Sequence, residues 1–193
     1  MSDRDPISQF GAWFQEAVAA EPALPEAMTL ATVSADGRPS TRLVLLKEFN
    51  NRGFVFYTNF NSQKGQELET NPNASLCFHW KSLRRQVRID GPAAPVSDAE
   101  ADVYFATRPR GSQIGAWASE QTQPVESRDI LEARVRDLDA RYADGDVPRP
   151  PHWSGFRVVP ARIEFWSDRP DRLHDRQVFE RDGDAWRELR LQP

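Results

Sequence analysis

The sequence predicts an α+β domain in which an antiparallel β-sheet, closed or half-closed into a barrel, carries packed helices. Three observations predict it. Short segments with period-two alternation and hairpin turns begin within residues 28–59, an amphipathic helix precedes them, and a helical stretch over 97–143 separates them from further strand patterns. We expect one domain over residues 1–193, with the helical segment 97–145 inserted between barrel strands.

The first quarter of the chain predicts one helix followed by a β-meander. Asp5 is a capping carboxylate and Pro6 suits the first helical position, and apolar residues then recur at three- and four-residue spacing, which predicts a helix over 6–20. Turn sequences containing Asp-Gly or Asn then separate strand patterns. The predicted strands are 28–34, 40–49 and 54–59, and the turns are 35–39 and 50–53.

The middle of the chain alternates between helix and strand signals. A short helix over 62–72 is closed by Asn71-Pro72, and strands over 74–80 and 84–96 follow. Ser97 and Glu100 form a capping box, so a helix begins there and Pro109 ends or kinks it.

The last part of the chain adds two helices and returns to strands. Ser112 is expected to cap a further helix, and a periodic stretch predicts another over 127–143. After a proline-rich loop, strands are expected within 155–168 and 176–193, the latter with a hairpin turn at Asp182-Gly183.

Composition excludes several classes of function. The net charge of −4 gives no overall basic field for nucleic acid, so an anion must be held by local clusters. A single cysteine, Cys77, fits a reducing cytoplasm, and the three scattered histidines show no zinc-ligand spacing, so no metal site is expected. No signal peptide and no apolar run of membrane-spanning length is present, so no membrane association is expected.

Two early segments could bind anions. Arg42 and Lys47 lie at the ends of an otherwise apolar strand and point to opposite faces by strict alternation, so they would serve two different anions unless a bulge intervenes. Lys64 follows the start of a short helix near Ser62, where free backbone amides and a hydroxyl could seat a phosphate. An ordinary serine cap beside a solvated lysine is the more common explanation of the second pattern.

Two later segments repeat this combination of cations and hydroxyls. Tyr104, Arg108 and Ser112 are four residues apart and would share a helix face able to hold a dianion, although Pro109 interrupts the helix. Arg172, His174 and Arg176 would share one face of a strand. Solvated arginines and surface ion pairs are the alternatives. Together the clusters indicate a site for one or two phosphorylated small molecules, with redox chemistry supplied by a cofactor.

The combined motifs resemble the pyridoxamine 5′-phosphate oxidase family over nearly the whole chain. The matching segments, in order, are RLVLLK, GFVFYTN, SQKGQEL, RRQVRIDG, YFATRPRGSQIGAWASEQ, HWSGFRV, IEFW and RLHDR. The resemblance implies an FMN-binding split β-barrel that works as a homodimer, with FMN at the subunit interface.

The resemblance also implies residue roles. FMN would be held by the strand residues Arg42, Leu43, Val44, Leu45, Leu46 and Lys47, and by Tyr57, Thr58, Gln63, Lys64, Gln86, Gln121, Thr122, Trp166 and Arg176, some of them across the interface. The substrate phosphate would be held by Lys47, Tyr104, Arg108 and Ser112, with Arg110 adding positive field, and Arg172, Leu173 and His174 would lie beside the substrate ring.

The implied reaction is the oxidation of pyridoxamine or pyridoxine 5′-phosphate by dioxygen to pyridoxal 5′-phosphate, with release of hydrogen peroxide. Arg172 and His174 are the expected catalytic residues, which orient the 4′ substituent and handle its proton.

This sequence differs from the family pattern at two points, and two other functions are alternatives to the implied one. Gln63 stands where many members have an arginine, and the chain starts at about the first helix, without the N-terminal arm that covers the substrate in some members. One rival is a flavin oxidase of phenazine biosynthesis, and the other is a non-catalytic protein that binds flavin or a B6 vitamer. Lys47, Tyr104, Arg108 and Ser112 argue against the first, and Arg172 and His174 against the second.

Overall fold

The protein is an antiparallel sheet that curls into a half-barrel, with helices packed on it, as a computed structural model of residues 5–193 shows. This confirms the predicted α+β class. The strands are β1 (Ala27–Val33), β2 (Pro39–Leu45), β3 (Glu48–Asn50), β4 (Gly53–Asn59), β5 (Asn73–Trp80), β6 (Arg85–Pro95), β7 (Trp153–Val158), β8 (Arg162–Ser167), β9 (Asp175–Asp182) and β10 (Ala185–Arg190). The helices are α1 (Pro6–Ala20), α2 (Gln63–Thr70), α3 (Asp98–Thr107), α4 (Arg110–Ala118) and α5 (Arg128–Arg141), and a 3-10 turn spans Pro170–Arg172.

Strand β6 joins the two halves of the sheet. One path runs β10-β9-β8-β6-β5-β1-β2, while β7 pairs with both β6 and β4, and β4 pairs with β3. The first part of β6 pairs with β5 and β8, and its end, Ala93–Pro95, pairs with β7. At Gly91 an added Cβ would lie 2.0 Å from the carbonyl oxygen of Val159, so only glycine fits where β6 passes from one half to the other.

Helix α1 closes the open side of the core. The Asp5 carboxylate accepts hydrogen bonds from the backbone amides of Ile7 and Ser8, which confirms the predicted cap and the helix over 6–20. Phe10 is fully buried, and its ring lies 4.9 Å from the rings of both Phe49 and Phe54. Burial of such a side chain contributes about 1.5–3 kcal/mol, so α1 is held by its apolar face.

The predicted strand 40–49 is wrong at residues 46 and 47, where it is interrupted. The chain forms β2 and β3 instead, and the two residues between them change partner strand: the amide of Leu46 donates to Glu26 O (2.9 Å) and that of Lys47 to Val55 O (2.8 Å). Leu46 points into the core and is 5% exposed, whereas Lys47 is exposed. Strict alternation between Arg42 and Lys47 therefore does not apply.

The helical segment between β6 and β7 begins as predicted and then departs from prediction. Both hydrogen bonds of the Ser97–Glu100 capping box are present. Helix α3 ends at Thr107, and Pro109, not Ser112, precedes α4. The carbonyl of Pro109 accepts hydrogen bonds from the amides at the start of α4, so Ser112 lies inside the helix with its side chain free.

The predicted strand face of Arg172, His174 and Arg176 is also wrong. Strand β9 begins only at Asp175, because Asp171 and Arg172 adopt left-handed φ values of 56° and 61° that no strand accommodates. Arg172 therefore sits on an exposed turn that follows Pro170.

In the described part of the chain, no helix has the length and hydropathy needed to cross a membrane. Within residues 5–193, no three His, Cys, Asp or Glu side chains come together in a way that could hold a metal ion.

Candidate functional site

A cavity of about 650 Å³ opens between the barrel and helices α3 and α4. Its barrel side comes from β2, the β2–β3 junction and the end of β4, and its helix side comes from the α3–α4 corner. Most of the residues that the sequence singled out for the two anions line it: Leu43, Val44, Leu45, Lys47, Tyr57, Thr58, Lys64, Tyr104, Arg108, Ser112 and Gln121.

The α3–α4 corner presents a cation without a partner to this cavity. Tyr104, Arg108 and Ser112 all line it, with Lys47 across from them, although Pro109 breaks the helix that was expected to align them. Nη1 of Arg108 is buried without a hydrogen-bond partner, and among the described residues no carboxylate lies within ion-pair distance of this guanidinium. An unpaired buried donor costs about 1–3 kcal/mol, so the site is built to receive an anion.

An aromatic wall supports Arg108. Its guanidinium carbon lies 4.5 Å from the ring centroid of Trp153, within cation–π range. The rings of Tyr57 and Tyr104 stack at 4.0 Å, and Tyr57 stacks on Trp153 at 5.3 Å. Burial raises the pKa of both tyrosine hydroxyls, so each remains a neutral hydrogen-bond donor at physiological pH.

A second cavity of about 360 Å³ adjoins the first and shares Leu43, Lys64 and Gln121 with it. Its remaining polar lining includes Arg42, Gln63 and Thr122, three residues expected to contact FMN. The two cavities together form one groove with cations at both ends.

Arg42 is held in the second cavity by a buried carboxylate. Glu67 is 6% exposed and lies 3.3 Å from Nη2 of Arg42, which also donates to Ser40 Oγ at 2.6 Å. The carboxylate accepts from Ser40, from Thr32 and from Gln63 Nε2 at 2.8 Å. Burial alone would raise the pKa of Glu67, but these hydrogen bonds and the charge of Arg42 lower it, so the group is ionised.

Lys64 lies between the two cavities. Its Nζ donates to Gln121 Oε1 at 2.9 Å and to Ser62 Oγ at 3.1 Å, and within residues 5–193 no carboxylate lies within ion-pair distance of it. Burial and the like charge of Arg42 lower the pKa of Lys64 to about 8, against the opposing effect of Glu67. Ser62 caps α2 as predicted, accepting from the amide of Gly65.

A third cavity of about 260 Å³ lies beside β8 and β9 and is lined in part by His174 and Arg176. Gln86, Trp166 and Arg176 form one cross-strand row over β6, β8 and β9, and the Trp166 ring lies 4.7 Å from the ring of His174. Arg176 donates through Nε to the buried Glu164 at 2.7 Å.

Within one chain the structure does not bring this C-terminal group to the groove. None of Gln86, Trp166, Arg172, Leu173, His174 and Arg176 lines either of the first two cavities. Leu173 is 68% exposed on its turn.

The contacts of Arg110 do not fit the expectation that it adds positive field at the substrate phosphate. Its guanidinium donates to Asp139 Oδ1 at 3.1 Å and to the carbonyl of Tyr142 at 2.8 Å, at the end of α5. It therefore caps a helix and adds no cation to the cavity.

Three site residues escaped the sequence reasoning: Glu67, Trp153 and Asp168. For Glu67 a signal existed, since it follows Gln63 by four residues on one helix face. Trp153 acts through partners far away in sequence. Asp168 lies 3.0 Å from His174, six residues later, across an irregular turn that no periodic pattern predicts.

Comparisons with known proteins agree with this geometry. A family model described as pyridoxamine 5′-phosphate oxidase matches residues 14–142, and one described as the pyridoxine 5′-phosphate oxidase C-terminal dimerisation region matches residues 153–193. Curated relatives named pyridoxine/pyridoxamine 5′-phosphate oxidase include one from Caulobacter vibrioides, 58% identical over all of this chain and 87% of its own length. Another, from Rhodospirillum rubrum, is 59% identical over all of this chain and 98% of its own length.

Solved structures share the fold. PhzG from Burkholderia lata, in complex with tetrahydrophenazine-1-carboxylic acid, has a TM-score of 0.93 and 35% identity over 98% of this chain and 93% of that one. An FMN-binding protein from Nostoc punctiforme, related to pyridoxamine 5′-phosphate oxidase, has a TM-score of 0.78 over the full length of both chains at 17% identity. The predicted FMN-binding split-barrel fold is thereby confirmed.

Proposed function

The chain belongs to the pyridoxamine 5′-phosphate oxidase family, and we propose that it oxidises pyridoxamine and pyridoxine 5′-phosphate to pyridoxal 5′-phosphate. FMN is the cofactor, dioxygen the final electron acceptor and hydrogen peroxide a product with either substrate. With the amine substrate, water hydrolyses the imine that forms and ammonia is released as well. The unpaired guanidinium of Arg108, facing a cavity that Lys47 and Ser112 also line, carries the proposal, because it calls for a phosphate ester on the substrate.

The second cavity fits the phosphate of FMN. Arg42 and Lys64 supply two cations, and Thr122 and Gln63 supply further polar groups at the cavity wall. Glu67 keeps the Arg42 guanidinium oriented at this wall. Because Lys64 and Gln121 lie in both cavities, a flavin whose phosphate sits in the second would extend its ring toward the first.

The first cavity fits the substrate. Arg108 can make charge-assisted hydrogen bonds to a phosphate, with Lys47, Tyr104 and Ser112 as additional donors. The Tyr57–Trp153 wall limits where the attached pyridine ring can lie. These contacts fix the substrate's C4′ relative to the cofactor, and orientation of this kind supplies several kcal/mol of catalysis.

When bound, FMN supplies the hydride acceptor and the route by which electrons reach dioxygen. The chain supplies orientation and proton handling. We propose that Arg172 and His174 contact the 4′ substituent, where His174 receives the proton that leaves the amine or alcohol.

A homodimer reconciles this role with the position of these residues. Leu43 beside the groove and Leu173 beside His174 are 73% and 68% exposed, and large exposed apolar side chains of this kind are typical of an interface. We propose that FMN lies between two subunits and that Gln86, Trp166, Arg172, His174 and Arg176 of one subunit complete the groove of the other. The match of residues 153–193 to a dimerisation region supports this arrangement.

We also propose that the enzyme works in the cytoplasm and forms a single domain over residues 1–193. Cys77, the single cysteine, is half-buried and has no second cysteine with which to form a disulfide in this chain, which suits a reducing compartment.

The likeness to PhzG favours one alternative, an oxidase that acts on an unphosphorylated tricyclic substrate. Such a substrate has no phosphate ester, and its single carboxylate would use fewer of the donors that Arg108, Lys47 and Ser112 present to the cavity. Substrate preference therefore separates the two functions.

An absorption spectrum followed by anaerobic reduction tests the proposal. Purified protein should show a flavin band that bleaches when pyridoxamine 5′-phosphate is added without oxygen, and peroxide should appear when air is admitted. Bleaching by a dihydrophenazine carboxylate but not by either phosphate ester would support the alternative. A flavin band that no substrate bleaches would indicate a binding protein.

A further inference from the structure

Two groups compete for one nitrogen of His174. Nδ1 of its ring lies 3.0 Å from Oδ1 of Asp168 and 3.2 Å from the backbone nitrogen of Arg169. Interaction with the carboxylate requires a proton on Nδ1, whereas accepting a hydrogen bond from the backbone N–H requires an unprotonated Nδ1. The two contacts therefore favour opposite tautomers of the neutral ring.

Of these two contacts, the one with the carboxylate should determine the tautomer. The carboxylate's negative charge lies 3.0 Å from Nδ1 and attracts a proton onto that nitrogen, and a charged partner acts more strongly than the neutral Arg169 amide. Both side chains are shielded from water, at 16% exposure for Asp168 and 22% for His174, so screening is limited. With Nδ1 protonated, the neutral ring carries its lone pair on Nε2.

Asp168 is itself anchored from the opposite side. Its other carboxylate oxygen pairs with Arg84, and its backbone amide donates to the carbonyl of Arg84 at 3.0 Å. The Trp166 ring packs on the imidazole at 4.7 Å. Strand β8 and the β5–β6 turn thus fix the carboxylate, and the carboxylate fixes the ring.

Of the other charged groups near His174, three form ion pairs with other residues, and the fourth, Arg190, is a cation that cannot replace the carboxylate. The charged residues that share its cavity are Arg169, Asp175, Arg176 and Arg190. Arg169 pairs with Asp175 at 2.6 Å, and Arg176 pairs with Glu164. In the described part of the chain, Asp168 supplies the carboxylate within ion-pair distance of the ring.

We propose that Asp168 is a positioning residue that holds His174 in the Nδ1–H tautomer and leaves Nε2 as the proton acceptor toward the substrate. This rests on the proposed function, in which His174 takes the proton from the 4′ substituent. Without Asp168 the Arg169 amide remains, so the ring switches to the Nε2–H tautomer and loses its acceptor. A wrong tautomer disables a histidine base even where the geometry is intact.

Nitrogen NMR of protein labelled with ¹⁵N-histidine tests the tautomer without any turnover. At a pH where the ring is neutral, the wild type should show His174 protonated on Nδ1, and Asp168→Ala should show it protonated on Nε2. Asp168→Asn keeps an acceptor oxygen and should retain most of the Nδ1–H form. A His174 that stays protonated on Nδ1 in Asp168→Ala would overturn the proposal.

Two control variants separate this effect from simple loss of charge or of loop structure. Asp171→Asn removes a carboxylate from the same turn, and Arg84→Asn breaks the anchoring ion pair while leaving Asp168 beside the ring. Both positions have left-handed φ values, 56° and 52°, that asparagine tolerates. Neither control should change the tautomer, and a switch in Asp171→Asn would count against a specific role for Asp168.

Steady-state kinetics then tests the consequence. Asp168→Ala should lower kcat by about 100-fold, the lower end of what a general base contributes, with KM for the phosphate ester nearly unchanged and Asp168→Asn in between. A switched tautomer with full kcat would overturn the positioning role while leaving the oxidase function intact. If the wild type oxidises neither ester, the proposed function fails, whereas the NMR result still decides the contact.

Discussion

Replacing Arg108 by methionine should remove discrimination for the substrate's phosphate and little else. Among the described residues, no group forms a hydrogen bond with Nη1 of this guanidinium, which faces the cavity beside Lys47 and Ser112. A hydrogen bond to a charged group is worth about 1.5–3 kcal/mol, so two such bonds to a phosphate give at least about 3 kcal/mol. At about 1.4 kcal/mol per factor of ten, kcat/KM for pyridoxine 5′-phosphate should fall by more than about 100-fold.

Stability should change little, so the loss cannot be attributed to unfolding. Methionine removes a buried donor without a partner, which contributes about 1–3 kcal/mol in favour of the variant. It also removes the cation–π contact to Trp153, which costs about 0.5–2 kcal/mol. The two effects oppose each other, and the free energy of unfolding measured in urea should stay within about 1 kcal/mol of the wild type.

The assay is a cycle of two proteins and two substrates. Peroxide formation is measured for wild type and Arg108→Met with pyridoxine 5′-phosphate and with pyridoxine, which lacks the phosphate. The large loss should occur only for the phosphate ester. Arg110→Met is the matched control, because Arg110 binds Asp139 and the end of α5, outside the cavity lining. An equal loss on both substrates would refute the assignment of Arg108 to the phosphate.

Three further predictions concern the second cavity. FMN affinity, measured by quenching of flavin fluorescence, should fall as the pH rises through about 8, because Lys64 of the unliganded protein then loses the positive charge that binds a phosphate. Lys64→Arg should remove this pH dependence. A wild-type affinity that does not change with pH would contradict the prediction. Glu67→Ala should lower the free energy of unfolding by about 2–4 kcal/mol, because Arg42 loses its carboxylate. Since the folded-state pKa of Glu67 lies below its ordinary 4.5, this difference should be full above that pH and should shrink as the pH falls through the folded-state pKa. Urea titrations at several pH values measure it, and a difference that does not shrink in acid would exclude the ion pair as its source. Gln63→Arg adds an exposed cation at the cavity wall and should tighten FMN binding about fivefold, which corresponds to about 1 kcal/mol of binding free energy. Unchanged affinity in the same quenching assay would show that this position does not face the phosphate.

The elements that could be predicted from sequence are those whose signals lie within a few residues. The Ser97–Glu100 capping box and the Asp5 cap were correct because each is a hydrogen bond closed within three residues. The turn at 50–53 was correct because it joins strands that are adjacent in sequence and in the sheet.

The two errors have different causes. The break at Leu46 and Lys47 depends on hydrogen bonds to Glu26, which immediately precedes β1, and to Val55 in β4. Ser112 read as a cap because serine commonly caps helices, but the carbonyl of Pro109 was available three residues earlier.

The candidate site shows the same division. Residue types and order pointed to Lys47, Arg108 and Lys64, since cations in apolar surroundings need anions. The pairing of Arg42 with Glu67, and of His174 with Asp168, depends on tertiary packing and side-chain direction.

The position of β6 in the sheet sets the order in which a newly made chain can complete its fold. Three strands pair with β6, and two of them, β7 and β8, begin only at Trp153 and Arg162. While the ribosome is still adding the helical segment, one edge of β6 therefore carries backbone amides and carbonyls with no neighbour, next to an uncovered apolar face. Nascent chains halted before residue 153 should accordingly bind chaperones and aggregate, and release of the last forty or so residues should be the event that ends this vulnerability.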